Sequence, residues 1–181
     1  FTTLAKSPLM KKYHDIGTPI NVMHLNEVKG LPTKNLTQTS LEYAENLSGE
    51  ELAKNYLGRR TACAHCPVSC IHLATLRIPY PNDPYFFKSK FVSYDHEPIF
   101  AIGTMLGLSR AEDFLELMDQ VENLCIDVMS VGVTLAWATE AFEKGLISEK
   151  ETLGIKLQFG DAKGYLQCVS NIVQQKNPFY Q

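Results

Sequence analysis

Cys63-Ala64-His65-Cys66-Pro67-Val68-Ser69-Cys70 sets three thiols at the spacing C-x2-C-x3-C inside one short turn. Thiolates grouped this closely suit a soft metal centre, because a tight loop aims side chains two to four positions apart at a common region. A closed zinc or iron-sulfur site takes four ligands, so one more is needed. Cys125, Cys168, a nearby His or a residue beyond the chain could supply it. Three packed thiols or a disulfide pair is the plainer reading. Against it, Pro67 builds a turn, and Arg59 and Arg60 bring positive charge that favours thiolates just upstream.

The rest of the composition is that of an ordinary globular chain. Its 181 residues are 45% hydrophobic and 20% charged, with a formal charge of -3, enough for one good core and too little basic charge for nucleic acid. No apolar run approaches the roughly 20 residues that span a bilayer, no signal peptide opens the chain, and the five cysteines are odd in number and clustered. A cytoplasmic, reducing setting is the expectation, with no membrane partner. The chain begins at Phe1 without Met, which together with the missing ligand suggests a piece of something longer.

Working outward from the thiols, helical punctuation dominates. Ser7 and Pro8 open a helix that Gly17 closes, and Thr18 to Asn35, with Pro19, Gly30 and Pro32, reads as an ordered surface loop. Ser48-Gly49-Glu50-Glu51 forms a capping box whose helix leads into the cysteine turn. Beyond the turn, Ile78 to Phe91 is dense in Pro and aromatics, so an irregular surface excursion is predicted. Ser109-Arg110-Ala111-Glu112 starts another helix, with Phe114, Leu117, Met118, Val121, Leu124 and Cys125 on its inward face. Met129 to Lys144 is apolar nearly all round and reads as a buried central helix, while Asp161 caps a last helix that buries Leu166, Val169, Ile172 and Val173. Cys168 lies beside that face as a packing thiol. Period-2 alternation is almost absent, and the expected fold is all-α, a multi-helical single domain over 1–181 with long ordered loops.

These segments, taken in order, resemble the tungsten-dependent aldehyde:ferredoxin oxidoreductase family. The resemblance runs from Gly17-Thr18-Pro19 through Asn26-Glu27-Val28-Lys29-Gly30-Leu31-Pro32-Thr33-Lys34-Asn35 and Ser48-Gly49-Glu50 to the cysteine turn. It continues through Glu97-Pro98-Ile99-Phe100-Ala101-Ile102-Gly103, Asp127-Val128-Met129-Ser130-Val131-Gly132 with Glu140, Glu143, Lys144 and Gly145, and Phe159-Gly160-Asp161. It covers essentially the whole chain and corresponds to the helical second domain of that enzyme.

The resemblance implies that Cys63, Cys66 and Cys70 are three ligands of a 4Fe-4S cluster, the fourth lying downstream of this chain. It also implies a tungsten or molybdenum bis-pterin, ferredoxin or another carrier as electron partner, and an aldehyde or acid substrate. Glu97 matches an acid near the metal, for proton transfer. The alternative for Glu97 is a first-turn acid favoured by the helix dipole, and Asp95 or His96 beside it could share the role. Glu122 and Asp127 match a pterin-binding segment, with two departures: the first acid is Glu, and Cys125 stands where the family has Gly. Asp119 replaces the His of an inter-subunit metal motif, which argues against that metal and leaves a homo-oligomer open. A different class of function, a structural zinc site built from the three Cys with His65 or His72 in an interaction domain, is carried beside it.

Overall fold

The computed structural model describes residues 1–181. Helix α1 is Thr2–Ala5, and α2 is Pro8–Ile16, with the boundaries that the punctuation predicts: Gly17 (φ 82°) follows it, and Ser7 stands before it, although the Ser7 side chain makes no capping bond. The stretch expected as a loop after Gly17 instead holds a 3-10 turn at Thr18–Ile20 and helix α3, Asn21–Glu27. Pro19 is the second residue of that turn, where a missing N–H costs nothing. Helix α4, Gly49–Asn55, is capped by Ser48, whose side chain accepts from the Glu51 N–H at 3.2 Å.

A three-stranded antiparallel sheet overturns the all-α expectation, and the fold is mixed α/β. Its strands are β1 (Leu57–Thr61), β2 (Ile71–Tyr80) and β3 (Asp83–Tyr94), in the order β1-β2-β3. The excursion expected to be irregular is a β-hairpin. Its buried half does alternate, since His72, Ala74 and Leu76 of β2 and Val92 and Tyr94 of β3 all face the core. Its outer half is exposed on both faces, with Tyr80, Tyr85, Phe86 and Phe87 in solvent. A ribbon with no buried face shows no period-2 signal. The prolines are tolerated because Pro84 lies on an edge strand and Pro79 lies beyond the reach of β1, which pairs only with 71–74.

The short helix α5 (His96–Pro98) runs directly into a π-helix at Ile99–Thr104, followed by α6 (Ala111–Asn123), α7 (Val128–Glu143) and α8 (Ala162–Val173). Phe114, Leu117, Met118 and Val121 of α6 are buried as expected, but Arg110, not Ser109, is the residue before the helix, and no side chain caps it. Cys125 does not look inward, because the helix ends at Asn123 and Cys125 sits exposed at φ 55°. Its N–H donates to the Glu122 carbonyl and the Ile126 N–H to that of Val121, a Schellman stop with Cys125 at the left-handed position.

Helix α7 is buried on one side only, and Trp137 remains 58% exposed with Val133 on the same face. In α8, Val169 and Cys168 are buried while Val173 is exposed, so the inward face is rotated toward Cys168. The Cys168 thiol lies 3.6 Å from the Tyr180 hydroxyl, and burial pushes its pKa up, as expected of a packing thiol. Asp161 precedes α8 without capping it through its side chain.

Candidate functional site

The cysteine turn joins two adjacent strands at one end of the sheet. β1 delivers the chain at Thr61, β2 takes it up at Ile71, and these two residues pair with one another. Inside the turn, the Cys66 N–H donates to the Cys63 carbonyl at 3.0 Å, and His65 (φ 61°) and Ser69 (φ 55°) adopt left-handed backbone. All three cysteines are free, with Cys63 exposed and Cys66 and Cys70 partly buried.

The β2–β3 register then brings a second segment alongside. His72 pairs with Tyr94, so the residues before His72 and after Tyr94 continue past each other, and Cys70 comes near Asp95. The electrostatics record this proximity: the Cys70 thiol is pushed up by burial and further by negative charge at Cys66, Asp95 and Cys63. Asp95 precedes α5, and its side chain accepts from the His96 N–H at 3.0 Å. Burial raises the Asp95 carboxyl above its ordinary range, and Glu97 adds to the shift. Thr18 Oγ1 also accepts from the His96 N–H, and His96 Nδ1 is buried without a hydrogen-bond partner.

Glu97 itself is exposed in the first turn of α5. Asp95, named from the sequence only as its neighbour, is the partly buried carboxylate of the segment and carries the upward shift. The strand register that places it next to Cys70 is non-local and leaves no signal in the sequence around Asp95. The π-helix that follows is a rare element, often found at functional sites.

Glu122 and Asp127 bracket the Cys125 turn between α6 and α7. The Asp127 carboxylate accepts from the Ser130 N–H at 2.7 Å, which lowers its pKa and makes it the cap of α7. Glu122 is exposed and lines a shallow hollow with Phe91, Val92, Asp119 and Asn123. Asp119 is paired with Lys90 of β3.

No three His, Cys, Asp or Glu side chains converge closely enough to hold one metal ion. A mononuclear zinc site needs such convergence, with four donors at about 2.0–2.3 Å. A 4Fe-4S cluster spreads its four thiolates over separate irons, and the three unpaired thiols on this turn would supply three of the four. His72, a candidate zinc ligand, is buried with both ring nitrogens engaged, Nδ1 with Tyr94 and Nε2 with the His14 carbonyl.

Residues 2–181 match the family model described as aldehyde ferredoxin oxidoreductase, domains 2 and 3. The chain is 32% identical over 135 residues to the tungsten-containing aldehyde ferredoxin oxidoreductase of Pyrococcus furiosus, covering 75% of this chain and 21% of that protein. The enzyme of the same name from Thermococcus kodakarensis is 31% identical over 136 residues, with 75% and 21% covered. An aliphatic sulfonate oxidoreductase, WOR-like subunit, of Pyrococcus furiosus is 31% identical over 112 residues, with 61% and 17% covered. The chain thus spans about a fifth of the length of the curated relatives it matches. A family match that runs over residues 2–181 places the chain in the aldehyde ferredoxin oxidoreductase family.

Proposed function

We propose that this chain is the cluster-bearing domain of a tungsten or molybdenum bis-pterin oxidoreductase that interconverts an aldehyde and a carboxylic acid and passes electrons to ferredoxin in the cytoplasm. The observation that carries the reading is the β2–β3 register, which sets the three-thiol turn beside the acidic Asp95-His96-Glu97 segment. An electron route and a proton-handling group in one place are what oxidation of an aldehyde with water requires.

When bound, the cluster would supply single-electron transfer and the bis-pterin metal the two-electron chemistry at the substrate. Cys63, Cys66 and Cys70 would hold the cluster as thiolates, with the fourth ligand and most of the pterin site in the remaining domains. Burial disfavours the thiolate of free Cys70, so cluster assembly must displace its proton. Asp95, raised by burial, is suited to hold a proton nearer neutral pH than an ordinary carboxylate, and Glu97 is the exposed acid through which that proton reaches solvent. Glu122 and Asp127 are anionic acceptors suited to the ring N–H groups of a pterin. The exposed Asp127 carboxylate keeps acceptor capacity beyond its bond to Ser130.

Anaerobic purification of the full-length enzyme tests this. Iron and labile sulfide in a four-to-four ratio, with a broad visible absorption, are expected, and Cys66→Ser should lower iron while leaving most of the tungsten. A colourless protein holding one zinc per chain would sink the reading, and equal loss of both metals in Cys66→Ser would assign the turn to folding instead.

A further inference from the structure

The cysteine turn is tied to the rest of the molecule by one hydrogen bond. Residues 62–69 make a single internal backbone bond, Cys66 to Cys63, and their sole hydrogen bond outward joins the Val68 carbonyl to His14 Nδ1 at 2.7 Å. A carbonyl only accepts, so His14 Nδ1 carries the proton. Val68 lies midway between Cys66 and Cys70, and the neighbouring Ser69 is held at φ 55°.

His14 is itself anchored. Its carbonyl, in the last turn of α2, accepts from His72 Nε2 and from Arg60 Nε, each at 2.9 Å, while the second Arg60 nitrogen reaches the Asp15 carbonyl at 3.2 Å. These are helix-end carbonyls that lack intrahelical partners, so β1 and β2 clamp the end of α2. Behind them, His72 is buried in its neutral form, and the Tyr94 hydroxyl donates to its Nδ1 at 3.1 Å. An unbroken series therefore runs from β3 through His72 and the end of α2 to the carbonyl between two of the cysteines.

We propose that His14 is a positioning residue for the cysteine turn, fixing the Val68 carbonyl and with it the spread of Cys66 and Cys70. In part this rests on the cluster reading above, since a correctly spread turn retains iron. It also holds for the thiols alone, which the same bond keeps from opening to reagents.

The test uses the full-length protein with His14→Ala, His14→Asn and His14→Gln. The Asn amide nitrogen falls near the position of the ring Nδ1, whereas that of Gln falls near Nε2. In His14→Ala, alkylation of Cys66 and Cys70 in iron-free protein and loss of iron to a chelator should both accelerate roughly three- to tenfold, the effect of one hydrogen bond on a local opening equilibrium. His14→Asn should restore both rates and His14→Gln should not, at an unchanged midpoint of global unfolding. Wild-type rates in His14→Ala, or failure of Asn to restore them, would overturn the assignment. A protein that never holds iron, yet whose thiols respond in this way, would sink the cluster reading and leave the role of His14 standing.

Discussion

Gly132 of α7 lies against Ala101 of the π-helix so closely that a Cβ at position 132 would sit 2.4 Å from the Ala101 carbonyl oxygen. The obstacle is backbone, and no rotamer change relieves it. Gly132→Ala should therefore push α7 off the π-helix and cost about 1–3 kcal/mol. A urea midpoint lowered at constant slope would show it. The contact also gives a physical role to the Asp127-x-x-Ser130-x-Gly132 pattern: Asp127 caps the helix on the Ser130 N–H, and Gly132 lets that first turn dock.

Cys125 occupies a left-handed position that a side chain strains. Replacing it by Gly should stabilise the fold by about 1 kcal/mol, the ordinary penalty for an L-residue there. The exposed thiol makes no hydrogen bond that would be lost. A glycine at this place would thus have a conformational reason independent of any ligand. A Cys125→Gly variant no more stable than wild type would mean that the stop after α6 relaxes without cost.

His72 is fully buried and its pKa is lowered, chiefly by burial. A histidine that stays neutral in the fold but protonates near 6.5 when unfolded binds more protons in the unfolded state below that pH. Its contribution is complete above about pH 6.5 and is lost as pH falls from there through the lower folded pKa. Tyr94→Phe leaves His72 Nδ1 buried without its donor and should cost about 1–3 kcal/mol at neutral pH. Unfolding midpoints from pH 5 to 8 would check both, the midpoint of the wild type falling on the acid side.

Much of the helical half of this fold is legible in the sequence because its boundaries have local causes. Ser48 caps α4, Gly17 follows α2, and Phe114, Leu117, Met118 and Val121 repeat with the helical period. The sheet is not legible for the opposite reason. In β2 the buried His72, Ala74 and Leu76 alternate with Leu73 and Thr75 under a polar-apolar mixture that hides the period, and one of the three inward residues is a histidine. The outer ribbon buries nothing. The thiol turn could be read from spacing, but its neighbour Asp95 depends on the strand register, which is non-local. The helical period that would turn Cys125 inward ends with the helix at Asn123, two residues before it.

The Asp95 carboxyl is raised by burial, against the pull of the His96 N–H, and Glu97 pushes it the same way. A carboxylic acid whose folded pKa exceeds its unfolded value holds more protons in the fold between the two. Its contribution is most favourable at acid pH and is lost as pH rises through the folded pKa, so the ionised form at neutral pH opposes folding. Asp95→Asn keeps an acceptor for the His96 N–H and removes that charge. It should be more stable than wild type at pH 7, with the advantage shrinking as pH falls below the folded pKa. If Asp95 moves the proton in turnover, the same variant should lose most of its kcat with iron content intact. Glu97→Gln, at an exposed position, should lose less. Stability gained with full kcat retained would confine Asp95 to capping α5, and a larger loss in Glu97→Gln would return the catalytic role to Glu97.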